Sequence, residues 1–195
     1  MFESLNDLVP ASGMLVVADL EYTSWEGALE GGWSEPGQFR ETVQIGAVRV
    51  DVGDGFTERG AFSVLVRPTL NPELSDYFVD LTGISNAVVA RDGTDLACAL
   101  GAFTTFVGAD AVLSHGRDDA VISNECAFKE MPDPLVGLDW RDINPAILDI
   151  TGRRMPSSAL PEQFGLEPAG SAHDALADAR SLARVLAHLR DVGRI

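Results

Sequence analysis

Residues 14 to 21, Met-Leu-Val-Val-Ala-Asp-Leu-Glu, constrain this chain more than any other stretch. Four apolar residues in succession, two of them β-branched, describe a strand buried on both faces. Asp19 and Glu21 then follow two positions apart, and side chains so spaced leave the same face of a strand. Two like charges held that close repel unless a cation lies between them, and a hard divalent ion held by carboxylate oxygens is the usual one. A strand running out into solvent would accommodate the same pair, so the rest of the chain has to decide.

The chain has 195 residues, 46% of them hydrophobic, enough for one domain with a full core. No apolar run reaches the length of a membrane span, and Met1-Phe-Glu-Ser-Leu-Asn-Asp lacks the basic start and apolar centre of a secretory signal. Residues 1–13 read as a leader before a single domain over 14–195. Cys98 and Cys126 both fall in apolar helical patterns, which predicts two buried free thiols in a reducing cytoplasm. The formal net charge is −16, from 30 acids against 14 bases, and Lys129 is the lone lysine. That balance argues against tight nonspecific binding to long nucleic acid, which depends on cations displacing counterions along the phosphates. It leaves a phosphate substrate open, because acids gathered around metal ions serve a local purpose that net charge conceals.

Taken in order, a strand over 14–21 is followed by an aperiodic loop, Tyr22 to Arg40, rich in glycine and carrying Trp25, Trp33 and Phe39. A loop this long tends to be functional, and its aromatics either stack on a ring of the ligand or fold the loop back onto the body. Strands are predicted over 41–50 and 61–67, and their short connections make the first three strands an antiparallel meander. After an extended stretch with a short helix, a helix runs from Gly93-Thr-Asp to about Val107, capped by Thr94 or Asp95. Ala111-Val-Leu-Ser114 is a short buried strand leading through His115-Gly-Arg-Asp-Asp119 into a helix that buries Val121, Ile122 and Cys126. Residues 138–143 form a fifth strand, Pro145 suits the first turn of the next helix, and Ser157 to Phe164 is a short helix. The last helix spans about Asp174 to Arg190 behind a Ser171-x-x-Asp174 capping box. The expected architecture is α/β, a mixed sheet of five strands flanked by helices.

Acids recur at the ends of these elements. In the last helix Ala175, Leu176, Ala179, Leu182, Ala183 and Leu186 form one apolar stripe, and steps of about 100° put Asp178 on its shoulder, turned toward the body of the protein. His173 serves the same site if it precedes the first full turn, and a histidine beside several acids is a candidate general base at neutral pH. Asp118 and Asp119 open the middle helix, where one can stabilise the helix N-terminus while the other reaches Asp19 and Glu21.

These residues resemble the three motifs of the DEDDh 3′→5′ exonucleases, which have a ribonuclease H-like fold. The likeness rests on Asp19-Leu-Glu21, an acid opening the middle helix, and His173-Asp-Ala-Leu-Ala-Asp178. It extends through Thr23-x-Trp25-Glu26, Glu41-x-x-Gln44-Ile-Gly-Ala-Val48, Arg67-Pro-x-x-Asn71-Pro-x-Leu74-Ser-Asp76 and Leu81-Thr-Gly-Ile84. It is greatest toward the subgroup that trims RNA 3′ ends. The resemblance implies that Asp19, Glu21, Asp119 and Asp178 hold two Mg²⁺ or Mn²⁺ ions, Asp119 being chosen because the family's middle acid usually stands three residues after the glycine, here Gly116. It implies catalytic roles for His173, as base, and Glu21, and sets Leu20, Thr23, Trp25 and His115 against the 3′ nucleotide. Gln44 stands where relatives often have Glu, and His115 where they often have Trp. The expected partners are 3′ ends of single-stranded RNA or DNA, or short oligonucleotides, with no membrane; the oligomeric state is not legible. A metal-dependent phosphodiesterase of small nucleotides or dinucleotides and a catalytically inactive nuclease-fold module that binds a partner are the competing classes.

Overall fold

The computed structural model describes residues 4–195. Five strands, β1 (Met14–Tyr22), β2 (Thr42–Asp51), β3 (Thr57–Leu65), β4 (Ala111–Ser114) and β5 (Trp140–Asp142), form one sheet in the order β3-β2-β1-β4-β5. The first three are the antiparallel meander expected from their short connections, and β4 and β5 join in parallel beside β1. Nine helices accompany them among the described residues: α1 (Leu5–Leu8), α2 (Ala28–Gly31), α3 (Asp76–Thr82), α4 (Asn86–Asp92), α5 (Leu96–Val107), α6 (Asp118–Phe128), α7 (Asn144–Thr151), α8 (Leu160–Gln163) and α9 (Ala175–Asp191). None of them is long and apolar enough to cross a membrane.

Strand alternation divides the core into two layers. Val16, Ala18 and Leu20 of β1 pack with Leu100 and Phe103 of α5 and Ile122 and Cys126 of α6. Leu15 and Val17 turn the other way, against Ala179, Leu182 and Leu186 of α9. Asp19 and Glu21 continue this second row, so the period of the strand alone aims both carboxylates at the α9 side.

Four details depart from the sequence reading. Leu5, Leu8 and Val9 are buried in the α9-side core, so that part of the leader is docked on the body, while residues 1–3 lie outside the described residues. A separate α4 stands between α3 and α5, with Ser85 as its cap. Cys126 is buried but Cys98 is exposed, because Leu96, Ala99, Leu100 and Phe103 define the inward stripe of α5 and position 98 falls outside it. The cap of α9 is Asp174, whose side chain accepts from Ala177 N–H, rather than Ser171.

Candidate active site

The start of α9 is fixed onto β2. Gly46 pairs with Asp19 across the sheet, and a Cβ at Gly46 would lie 2.2 Å from the Ala175 carbonyl carbon and the Leu176 nitrogen, so only glycine permits the helix to cross here. Two residues earlier, Gln44 pairs with Glu21 and uses both ends of its amide. Its Oε1 accepts from Ala175 N–H at 3.0 Å, and its Nε2 donates to Asp174 Oδ2 at 3.1 Å. A glutamate there would set a second carboxylate against Asp174; the amide instead bonds donor and acceptor together. His173, just ahead of the helix, adopts φ +61, the left-handed conformation rare for residues with a side chain. Its backbone N–H donates to Asp178 Oδ2 at 3.0 Å, which orients that carboxylate toward β1.

The result is a tight group: one potential ligand atom from each of Glu21, His173 and Asp178 lies within 4.8 Å of the others. Asp19 and Glu21 are each 8% exposed and Asp178 is 4% exposed, so the acids are buried without forming a closed cavity of ion pairs. Burial is the first cause pushing Asp19 well above the usual carboxylate range, followed by the charges of Asp118, Glu21 and Asp178. Glu21 is pushed up to about 8 by burial and then by Asp178 and Asp118. Burial raises Asp118 to about 7 and Asp178 to about 6. None of the four makes a salt bridge to lysine or arginine among the described residues. Carboxylates this close, this buried and this short of positive charge are a donor set of hard oxygens that fits divalent cations. Burial also holds the His173 imidazole below its ordinary value, favouring the neutral ring.

The middle acid corrects the sequence reading. Asp118, the first residue of α6, is the one whose charge reaches Asp19, Glu21 and Tyr22. Asp119 is turned away into a two-pronged pair with Arg117, Nε to Oδ1 and Nη2 to Oδ2 at 2.8 Å each. Counting from the glycine favoured Asp119, but helix register favours Asp118, which lies three, four and seven residues before the buried Val121, Ile122 and Glu125 and so shares their face. The turn ahead of α6 is held by Asp142, whose Oδ1 accepts from the N–H groups of Gly116 at 2.9 Å and Asn144 at 2.8 Å.

The residues expected to hold the 3′ nucleotide fall in different settings. The Leu20 side chain is 6% exposed and packs into the α5–α6 core, on the face of β1 opposite the acids. Thr23 spends its hydroxyl on the loop, donating to Phe39 O and accepting from Glu41 N–H. Half-buried Trp25 lies at the turn into α2, its carbonyl accepting from Ala28 N–H. His115 is half-buried near Asp142, its Nε2 without a hydrogen-bond partner, and burial lowers its pKa. The loop aromatics take the second of their two expected courses: Phe39 packs on Phe128 at 4.5 Å, and Trp33 packs on Tyr22 at 5.6 Å between ring centroids.

Comparison with known proteins shows the family and the fold. The RNase T family model, described as "Exonuclease", matches residues 16–186. A curated relative, ERI1 exoribonuclease 2 of Xenopus laevis, is 26% identical over 202 residues. That alignment takes in 90% of this chain but only 28% of the relative's length. Among solved structures, the nuclease domain of 3′hExo, a DEDDh family member bound to rAMP, superposes with a TM-score of 0.77 at 20% identity, covering 93% of this chain and 94% of that one. Cell-death related nuclease 4 gives a TM-score of 0.73 at 21% identity, with 92% and 64% covered. The shared architecture is the ribonuclease H-like fold.

Proposed function

Because the chain belongs to the exonuclease family matched across residues 16–186, we propose that it is a divalent-cation-dependent 3′→5′ exonuclease of single-stranded nucleic acid, RNA foremost, that releases nucleoside 5′-monophosphates. The observation that carries this reading is the meeting of Glu21, Asp178 and His173, with the charge of Asp118 reaching both Asp19 and Glu21 and no basic side chain paired to these acids among the described residues. The preference for RNA is supported by the relative described as an exoribonuclease.

The four carboxylates would hold two Mg²⁺ or Mn²⁺ ions, whose four positive charges match the four negative ones. Such ions supply Lewis-acid stabilisation of charge growing on the phosphoryl oxygens and lower the pKa of bound water. The protein's own part is positional and protic. His173, neutral because burial disfavours its charged form, accepts the proton of the attacking water. The water oxygen bonds to phosphorus as the bond from phosphorus to the 3′ oxygen of the preceding nucleotide breaks, and that oxygen leaves with a proton from solvent. Asp178, held by the His173 N–H, keeps base and acids in one frame.

The test is a time course on matched single-stranded RNA and DNA, labelled at the 5′ end, with Mg²⁺, Mn²⁺ or chelator. Shortening from the 3′ end, only with metal and faster on RNA, is the expected outcome. His173→Ala should lower turnover by about 10²-fold or more; a change within about threefold removes the base assignment. One observation favours a second reading: the net charge of −16 suits very short substrates better than long ones. Turnover of a dinucleotide, with a long strand left intact, would select it.

A further inference from the structure

We propose that Arg40, laid against Trp33 at the rim of the site, is the contact that anchors a backbone phosphate of the bound strand; this rests on the nuclease reading above. Arg40 is exposed and stands immediately before Glu41, at the head of β2. Its guanidinium carbon lies 3.9 Å from the centroid of the Trp33 ring and 5.8 Å from that of Tyr22. The platform beneath it is fixed. The Trp33 indole N–H donates to Thr23 O at 3.0 Å, and Trp33 itself is held at φ +56, a left-handed conformation that a residue with a side chain adopts only when its surroundings impose it.

This platform stands at the end of β1 that carries the carboxylates. Tyr22 follows Glu21 directly on β1, its ring turned to the α5–α6 side, and Thr23 N–H donates to the carbonyl of Glu41, the residue after Arg40, at 2.9 Å. Six other arginines are neutralised in place: Arg49 on Asp110, Arg59 on Asp54, Arg91 on Asp92, Arg117 on Asp119, Arg141 on Asp139 and Arg180 on Glu58. Arg40 makes no hydrogen bond or ion pair among the described residues. Stacking occupies a face of the guanidinium and leaves its N–H donors unspent, and a planar fork of donors with no acceptor matches phosphate oxygens rather than a base edge of mixed donors and acceptors. In a molecule of net charge −16, a strand entering this site needs a local cation, and this one is rigidly presented.

Equilibrium binding separates this claim from the nuclease reading, since it requires no turnover. The anisotropy of a short 5′-fluorescein oligouridylate, with Ca²⁺ as the divalent ion, is titrated with the full chain at several salt concentrations. Arg40→Gln is expected to weaken binding about tenfold and to reduce the slope of log affinity on log salt by about 0.7, one phosphate's worth for a single strand. Arg40→Lys should keep most of the salt slope yet recover only part of the affinity, because a point charge replaces the fork. Thermal melts of both variants show whether the loop stays folded; the lysine variant carries the test if Arg40→Gln melts early. Equal affinities and slopes in wild type and variants overturn the assignment, as does a wild type that fails to bind the strand. Absence of nucleotide release with binding intact removes the nuclease reading and leaves the phosphate contact standing.

Discussion

Two groups of buried acids sit at the same end of the β1–β2 pair and are treated in opposite ways. Glu41 is fully buried, and its Oε1 accepts from Thr69 N–H at 2.7 Å and Leu70 N–H at 2.8 Å. Glu125 accepts from Thr42 N–H at 2.8 Å through Oε2. Between them lies the only lysine of the chain, Lys129, with Nζ 2.9 Å from Glu41 Oε1 and 2.7 Å from Glu125 Oε1. Burial pushes Glu41 up, but the backbone donors and Lys129 outweigh it and leave its pKa below the ordinary value. Asp19, Glu21, Asp118 and Asp178 have no lysine or arginine partner among the described residues, and every one of them is raised, Asp178 even though it accepts from the His173 N–H. On the proposed reading the difference separates structural acids from working ones: Glu41 and Glu125 receive their countercharge from the fold, and the other four would receive theirs from bound cations.

The largest expected effect tests which acids belong to the open group. Asp118→Asn should lower metal-dependent turnover by about 10³-fold or more, since several kcal/mol of transition-state stabilisation depend on a correctly held ion. Asp119→Asn, which only frees Arg117, should leave turnover within about threefold. The reverse ranking would return the middle ligand to Asp119 and show that the helix register misleads.

The closed group is tested next. Lys129→Met keeps most of the volume but strands two buried carboxylates, and removal of one partner from a buried ion pair costs about 3–5 kcal/mol. Urea melts should show a loss of that size whether or not divalent metal is present. A metal-dependent loss would mean that the two groups are not independent, and the contrast between them would fail.

The contrast also explains what the sequence made legible. Periodicity located β1, the stripe of α9 and hence Asp19, Glu21 and Asp178, because alternation and helical spacing are local properties. The placing of Asp118 on the inward face of α6 was equally within reach, since it stands three and four residues before Val121 and Ile122. Glu41, Glu125 and Lys129 were not readable as a unit, because their meeting depends on α6 packing beside the head of β2, a tertiary event with no sequence period. The same holds for Gln44, whose partners Asp174 and Ala175 are about 130 positions away. Thr23 and Leu20 sit in a recognisable motif yet serve the loop and the core, which only the folded chain reveals.

The smallest effect concerns pH, and here the two groups should pull in opposite directions. A carboxyl group raised on folding binds its proton more tightly in the native state than in the unfolded chain. Its contribution is complete below the ordinary carboxylate value of about 4 and is lost as pH climbs through the native value. For Asp178, Asp118 and Glu21 those values are about 6, 7 and 8, so in chelator the stability should decline from about pH 4 to about pH 8. Glu41, being lowered, does the reverse: its contribution is present above the ordinary value and fades as pH falls below it. Melts across this range in chelator should therefore show a decline on the order of 1–3 kcal/mol on the alkaline side. Saturating Mg²⁺ or Mn²⁺ should flatten it, because a bound cation makes the charged carboxylates the favoured form; about 2.7 kcal/mol is gained at a hundredfold excess over Kd. Glu21→Gln should remove part of the decline while also costing metal-dependent turnover, so the same substitution stabilises the metal-free protein and damages the site. A flat profile in chelator would mean that the open acids already have a countercharge, and the distinction between the two groups would not hold.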